Sequence, residues 1–298
     1  MWRAFETRVC GKWVLAGEHS VLRGGTAVAI PLTQKSLCLK FRPSEDRLDG
    51  LSVLPASAQN LIQELLNSVE DHWQGEGKSF LRPKGTLEIE STIPEGAGLG
   101  SSAALCVALT KWFSEPLSIA KESWLEFATQ LEHRFHGQSS GMDVSVIASG
   151  QPITFVRGRE PQLLGIKHLP RFTFHDTGLR ARTSQCIMQV EQFRQERPVL
   201  AMQVDEAMGA ASRNALEGLV LYDRSESPDL GQKGLELIAR AMKEAQECFY
   251  SWGLVPNEAR HLEEDLLQNG ALAAKLTGAG GGGMIVALWP EDRAQGVE

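Results

Sequence analysis

The pattern of hydrophobic and polar positions divides the chain into two halves of different character. Alternating apolar and polar residues predict strands, whereas apolar residues repeating every three or four positions predict helices. The first half mixes strands at 7–16 (broken at Gly11), 26–32, 37–41, 86–93 and 153–156 with helices at 57–69, 105–112 and 118–136, and loops at 43–56 and 74–85. The second half has strands at 171–176, 272–276 and 284–289 around helices at about 184–195, 199–220, 231–251 and 257–269. These elements predict an α/β (α+β) protein.

Length and composition narrow the class of protein. The chain has 298 residues, 42% hydrophobic and 22% charged, which suits a soluble protein of one large domain or two modest ones. The polar, irregular residues 157–165 predict a boundary between two domains, 1–165 and 166–298. A net charge of −7 without a Lys/Arg run argues against nucleic acid or a membrane surface as partner. The five cysteines are scattered without a CxxC motif, which argues against a disulfide framework or a zinc site. The apolar runs are too short to cross a bilayer. With no leader-like N-terminus either, we expect a cytoplasmic protein.

The segment Pro94–Ala104 joins a predicted strand to a predicted helix through closely spaced glycines. The glycines between Gly96 and Gly100 let the backbone approach a ligand, because no Cβ intervenes. The helix N-terminus that follows favours an anion such as phosphate. Ser101 and Ser102 can either cap the helix or reach a phosphate or its metal ion. Such turns also occur without any ligand, so this segment alone leaves phosphate binding open.

Four charged residues occupy positions that are unusual for charge. Lys12 and Glu18 lie in apolar sequence, and either extend from a strand edge to solvent or point into a site. Glu132 falls on the apolar face of a predicted helix, where it must be paired, bind a metal or turn outward toward Arg134. Asp143 follows a glycine-flanked polar turn, where the ordinary role is a helix N-cap. Each is a candidate site residue with a structural alternative.

A second glycine run, from Gly278 to Gly283, has the G-x-G-x-x-G spacing of dinucleotide-binding proteins. That motif requires a helix next, but the residues that follow are strand-like and end at Pro290. We therefore interpret the run as a turn between two strands that packs against a ligand site.

Together the motifs resemble the GHMP kinase superfamily, and within it most closely the mevalonate kinase branch. The matching segments are Gly11-Lys12 with Gly17–Val21, Pro94–Ala103, Lys275–Gly283 and His136–Asp143. The resemblance implies an N-terminal ribosomal-protein-S5-like domain and a C-terminal ferredoxin-like domain, with the active site between them.

The resemblance also implies ATP-dependent phosphorylation of the primary hydroxyl of mevalonate, with Mg²⁺ as cofactor. Asp143 is the implied catalytic base with Lys12 beside it, and Ser102 and Glu132 are the implied Mg²⁺ ligands. The implied nucleotide-binding residues are Pro94, Gly96, Ala97, Gly98, Leu99, Gly100, Ser101 and Ser102, and the implied acceptor-binding residues are Glu18, His19, Thr183, Gly278 and Ala279.

Other members of the superfamily, acting on phosphomevalonate or a sugar, are the nearest alternative, and a non-catalytic nucleotide-binding protein on the same fold is the other. The resemblance also allows a homodimer. Two positions depart from the family pattern: Cys10 replaces the usual Pro, and Glu95 replaces Pro or a small residue. Glu95 would weaken nucleotide binding unless its side chain faces solvent.

Overall fold

The computed structural model describes residues 2–75, 81–136, 139–225 and 227–290. Within these residues, the N-terminal half forms an antiparallel five-stranded sheet. Its strands are β1 (Phe5–Ala16), β2 (Ala27–Arg47), β3 (Lys84–Ser91), β4 (Ile153–Phe155) and β5 (Gln162–Leu163). Strand β2 is central, since it pairs with β1, β3 and β4, and β4 in turn pairs with β5.

The two longest strands correct the prediction for the first 56 residues. Strand β1 continues through Gly11, where a break was predicted, and β2 is one strand where two strands and part of a loop were predicted. A register shift explains why neither strand ends here: Cys10 pairs with Ser36, whereas Gly11 pairs with Leu32. A bulge of this kind absorbs extra residues without ending the strand, so the polar residues 33–35 do not interrupt β2. Pairing with β3 carries β2 on into the predicted loop as far as Arg47.

Four helices accompany this sheet: α1 (Ala56–Gly75), α2 (Ser101–Ser114), α3 (Trp124–His136) and α4 (Met142–Ser149). Helix α2 is buried along most of its length and packs against β1, α3 and α4. The predicted start of α3 at Ser118 is wrong, because Ser118 has a left-handed φ of 53° and a 3₁₀ turn at Lys121–Ser123 precedes the helix. Helix α1 begins at Ala56, one residue before the predicted start, and ends at Gly75, beyond the predicted end at residue 69.

The C-terminal half forms a second antiparallel sheet with the strand order β6-β8-β7 in its described part. Its elements are β6 (Phe172–Asp176), α5 (Thr183–Glu196), α6 (Pro198–Asp223), α7 (Pro228–Ser251), α8 (Asn257–Gln268), β7 (Ala273–Thr277) and β8 (Met284–Leu288). These bounds differ from the predicted ones by at most three residues. The agreement is close because the helices have a strong helical periodicity and because β7 and β8 are short, fully buried and mainly apolar runs.

The two halves meet where β1 approaches β7. The backbone N–H of Val14 donates a hydrogen bond of 2.9 Å to the Thr277 hydroxyl, and that hydroxyl lies 3.2 Å from the Val14 carbonyl oxygen. The domain boundary at 165/166 falls between β5 and β6 and stays a prediction. In the described part of the chain, no helix combines the length and apolar character needed to cross a membrane.

Candidate active site

A cavity of about 670 Å³ lies between the first glycine turn and the C-terminal glycine run. Every residue that the sequence analysis placed in the site lines this cavity, although these residues are up to 267 positions apart (from 12 to 279). They are Lys12, Glu18, His19, Pro94, Gly96, Ala97, Gly98, Leu99, Gly100, Ser101, Ser102, Glu132, Asp143, Thr183, Gly278 and Ala279.

The predicted phosphate loop connects β3 to the N-terminus of α2. Its glycines Gly96, Gly98 and Gly100 have φ values of 66°, 79° and 78°. Gly100 is the N-cap of α2 and the helix has no side-chain cap, so neither Ser101 nor Ser102 serves as the cap. The first-turn N–H groups lie ahead of the first helical hydrogen bond and, with the helix dipole, favour an anion here.

The backbone of the C-terminal glycine run packs closely against the backbone of this loop. A Cβ atom at Gly98 would lie 2.5 Å from the Thr277 carbonyl oxygen, and one at Gly278 would lie 2.8 Å from the Gly98 Cα. Distances this short exclude a side chain at either position. The run is also a turn between β7 and β8, as the sequence predicted.

Lys12 connects the phosphate loop to Asp143. Its ammonium donates to the Gly98 carbonyl oxygen at 3.0 Å and pairs with Asp143 Oδ2 at 2.9 Å. Its backbone N–H donates to the Leu99 carbonyl oxygen at 2.9 Å. Gly141 is the N-cap of α4, so the N-cap alternative for Asp143 is wrong. Lys12 therefore points into the cavity, and the Asp143 carboxylate lies at the cavity surface next to it.

Glu132 is a second carboxylate in this part of the cavity. It is buried and accepts a hydrogen bond from the Ser139 hydroxyl. Burial, and then the negative charge of Asp143, raise the pKa of Glu132 to about 7. Arg134 donates to the Ser68 hydroxyl and forms no ion pair with Glu132 in the described contacts. The outward-facing alternative for Glu132 is therefore wrong.

Glu18 forms a buried ion pair that the sequence analysis did not anticipate. Lys275 was quoted in a motif without a role, yet its ammonium lies 2.5 Å from Glu18 Oε1 and donates to the Val14 carbonyl oxygen at 3.2 Å. Burial raises the pKa of Glu18, and the charge of Lys275 opposes that rise. Glu18 Oε2 is buried and has no hydrogen-bond partner among the described residues.

His19 links the first motif to the C-terminal glycine run. Its Nε2–H donates to the Ala279 carbonyl oxygen at 2.8 Å, and its ring lies 5.0 Å from the Trp252 ring, centroid to centroid. Burial lowers the pKa of His19 to about 4, so the imidazole is neutral at pH 7. Its φ of 58° is unusual for a residue other than glycine.

Sequence reasoning missed the apolar wall of the cavity. This wall carries no motif, and part of it lies in the stretch that was predicted to be loop. The missed residues are Leu37, Val53, Leu54, Pro55, Ile89, Leu105 and Ile187. Glu95, which departs from the family pattern, is exposed to solvent. In the fourth motif, Gly137 and Gln138 lie outside the described residues.

The donor set suits a magnesium ion bound together with a polyphosphate. The described residues contain no cluster of three or more His, Cys, Asp or Glu side chains with metal-binding geometry. Mg²⁺ is commonly held by one or two carboxylates plus substrate phosphates, so it needs no such cluster. The cavity offers the Ser102 hydroxyl and the Glu132 carboxylate, both oxygen donors, beside the predicted phosphate loop.

Two family models match this chain. The model for the N-terminal domain of GHMP kinases matches residues 60–151, and the model for the GHMP kinase C terminus matches residues 227–298. Together they cover more than half of the sequence. The chain belongs to the GHMP kinase family. As a GHMP kinase it is an ATP-using enzyme with a small-molecule substrate.

Curated relatives of this GHMP kinase match over nearly their whole length. The mevalonate kinase of Aeropyrum pernix is 28% identical over 316 residues, which cover 99% of this chain and 91% of the relative. The mevalonate kinase of Arabidopsis thaliana is 28% identical over 348 residues, covering 96% and 90%. No large part of either relative is therefore missing from the comparison.

Solved structures show that the chain has the two-domain GHMP kinase fold. The L. major mevalonate kinase in complex with R-mevalonate matches with a TM-score of 0.72 at 21% identity, covering 98% of this chain and 91% of that one. The Streptococcus pneumoniae phosphomevalonate kinase in complex with phosphomevalonate and AMPPNP also gives 0.72, at 19% identity, covering 96% and 92%. The fold alone does not distinguish between these two acceptors.

Proposed function

We propose that this GHMP kinase transfers the γ-phosphoryl group of ATP to the primary hydroxyl of mevalonate. The observation that carries the proposal is the Lys12–Asp143 pair, which lies beside the glycine loop and inside the cavity. Phosphoryl transfer needs donors for the nucleotide phosphates, a carboxylate that orients the attacking alcohol, and a cation for the developing charge. The glycine loop, Asp143 and Lys12 are suited to these three tasks, and all line the same cavity.

In this proposal the nucleotide phosphates bind the loop from Gly96 to Ser102, and the acceptor contacts Glu18, His19, Thr183, Gly278 and Ala279. The acceptor oxygen forms a bond to the γ-phosphorus while the bond to the bridging oxygen of ADP breaks. Asp143 orients the hydroxyl and receives its proton. Lys12 neutralises part of the negative charge on the transferred group and fixes Asp143 relative to the loop.

Ser102 and Glu132 would hold Mg²⁺. The ion would neutralise charge on the phosphate oxygens and help to orient the nucleotide. Because the pKa of Glu132 is raised to about 7, the carboxyl group is partly protonated at neutral pH and would lose its proton on binding a cation. This places a pH-sensitive group at the proposed metal site.

The charges lining the cavity favour mevalonate over a phosphorylated acceptor. Among the described lining residues, Lys12 is the one Lys or Arg, and it is already paired with Asp143. Four carboxylates line the same cavity: those of Asp143 and Glu18 are each paired with a lysine, that of Glu132 is partly protonated, and that of Glu95 is exposed. A phosphate group on the acceptor would add negative charge, and the described lining residues include no unpaired Lys or Arg to match it, which disfavours binding. Mevalonate carries one carboxylate only.

A coupled ADP-release assay with Mg·ATP tests this proposal. Mevalonate, phosphomevalonate, galactose and homoserine are offered separately, and a mock preparation from cells that do not express the protein serves as the blank for contaminating kinases. We expect turnover on mevalonate alone. Turnover on another acceptor would overturn the substrate assignment and leave the kinase assignment intact. Nucleotide binding without turnover on any of the four would overturn the mevalonate kinase assignment.

A further inference from the structure

A cluster of charged side chains lies outside the cavity and has no part in the chemistry proposed above. Asp205, on α6, accepts hydrogen bonds from Nε and Nη2 of Arg23, the former at 2.9 Å. Arg194 Nη1 also donates to Asp205 Oδ2, at 2.6 Å, and Arg194 Nε lies 3.5 Å from Glu191. One carboxylate thus joins two guanidinium groups from different parts of the chain.

Arg23 lies next to the first motif. It ends the 3₁₀ turn Ser20–Arg23, which directly follows Glu18 and His19 in the cavity wall. His19 has a φ of 58°, a conformation that persists only where surrounding contacts enforce it. The segment also contacts α6 elsewhere, since the Gly17 N–H lies 3.1 Å from the Met208 sulfur. The Arg23–Asp205 pair therefore fixes this turn on α6.

Arg194 connects the same carboxylate to the helix that carries another cavity-lining residue. It lies in the last turn of α5, and the first residue of that helix is Thr183, which lines the cavity. Because the backbone of an α-helix is hydrogen-bonded along its length, the helix is stiff, and fixing one end restricts the other. Asp205 thus holds both the Glu18–His19 turn and the helix of Thr183 in place from outside the cavity.

The nucleotide end of the cavity is held by other contacts. The glycine loop is fixed by Lys12, through Gly98 and Leu99, and by its backbone contact with Gly278. None of these contacts involves Asp205. A change at Asp205 should therefore alter the acceptor end and spare the nucleotide end.

The ion cluster is well placed to have a measurable effect. The side chains of Arg23, Asp205 and Arg194 are 23%, 25% and 30% exposed, so the pairs are more protected than ordinary surface pairs. The two-pronged Arg23–Asp205 pair also has the geometry of a strong, directional interaction. Loss of the carboxylate charge would leave two guanidinium groups to repel each other.

We propose that Asp205 is a positioning residue that orders the acceptor-binding walls of this kinase through Arg23 and Arg194. The inference rests on the proposed function, because it takes Glu18, His19 and Thr183 as the acceptor-binding residues. Asp205 itself does not line the cavity.

The test compares Asp205→Asn, Asp205→Glu and Arg23→Met with wild type in steady-state assays that vary mevalonate and ATP separately. We expect the KM for mevalonate to rise about tenfold in Asp205→Asn and Arg23→Met, with the KM for ATP within about twofold. Asp205→Glu should recover most of the loss, since it restores the charge. Glu88→Gln, which breaks an exposed ion pair with Arg42, is the matched control and should change neither constant.

Hydrogen exchange supplies a readout that does not depend on the substrate. In Asp205→Asn, backbone amides at 17–25 and 183–187 should exchange faster, while those at 96–104 should stay as in wild type. Uniform acceleration, unchanged exchange at 17–25, or equal shifts in both KM values would overturn the inference. Wild-type protein inactive on mevalonate would contradict the proposed function, and the exchange experiment would still decide the role of Asp205.

Discussion

Two buried lysines, one in each sheet, form ion pairs of the same kind in different surroundings. Lys12, on β1, pairs with Asp143 at 2.9 Å, and Lys275, on β7, pairs with Glu18 at 2.5 Å. The difference lies in the carboxylate: the Asp143 side chain is 29% exposed, whereas the Glu18 side chain is 3% exposed. Asp143 can therefore meet a ligand directly, whereas only a small part of the Glu18 side chain reaches the cavity and its partner Lys275 is fully buried.

Both pairs join a lysine to a carboxylate, so the exposure of the carboxylate, and not the type of charged group, distinguishes their roles. A pair at a cavity surface can exchange part of its interaction for contacts with a substrate. A fully buried pair cannot do so cheaply, because separating its charges leaves one of them unpaired in a medium of low polarity. We therefore expect changes at Lys12 to affect turnover and changes at Lys275 to affect stability.

Between the two lysines, the larger expected effect on turnover follows from Lys12→Met. The substitution keeps most of the side-chain volume and removes the cation beside Asp143 and the Gly98 carbonyl group. We expect kcat to fall about 10²- to 10³-fold, as when a charge-stabilising donor is removed from an active site. Steady-state kinetics with mevalonate and Mg·ATP measure this. A kcat close to that of wild type would remove the distinction drawn between the two lysines.

Lys275→Met tests the structural role of the buried pair with Glu18. Removing one partner of a buried pair is expected to lower the free energy of unfolding by about 4 kcal/mol. Urea denaturation measures the change, and Lys40→Met is the matched control, because Lys40 forms an exposed pair with Glu6 and should cost less than about 1 kcal/mol. Adding Glu18→Gln should recover part of the loss, since it removes the unpaired charge. Equal stability of Lys275→Met and Lys40→Met would contradict the account.

Glu132→Gln gives a smaller, pH-dependent effect. The pKa of Glu132 is raised from 4.5 to about 7, so the folded protein retains a proton that the unfolded chain releases between these values. The stability that Glu132 contributes is therefore full below about pH 4.5 and is lost as the pH rises through about 7, a change of about 3 kcal/mol.

Urea denaturation of the nucleotide-free protein at pH 5 and pH 8 measures this dependence. Wild type should lose more stability between the two pH values than Glu132→Gln does. Parallel losses in the two proteins would show that Glu132 is not the titrating group.

The sequence predicted the elements and the site to different degrees. Glycine spacing and charge in apolar sequence are local signals that selected Lys12 and the loop from Gly96 to Ser102, and the family resemblance selected Asp143. All of them line one cavity, and their roles stay predictions. Periodicity, which is also a local signal, located the C-terminal helices. Ser118 was misjudged as a helix start, because its left-handed conformation depends on its surroundings and not on its residue type.

Long-range pairing is what sequence reasoning could not supply. Lys275 and Glu18 are 257 positions apart, and nothing in either motif indicates the other as its partner. Leu54 and Pro55 reach the cavity because of the path that the chain takes after the long strand β2. An apolar side chain has no chemical signature that separates a ligand wall from an ordinary core.

The central claim is that Asp143 acts on the acceptor and not on the nucleotide. Its most direct test is to measure mevalonate-dependent ADP release and the affinity for a non-hydrolysable ATP analogue in the same preparation of Asp143→Asn. We expect kcat to fall about 10³-fold, with analogue affinity within about twofold of wild type. Near-normal turnover, or a loss confined to nucleotide affinity, would contradict it.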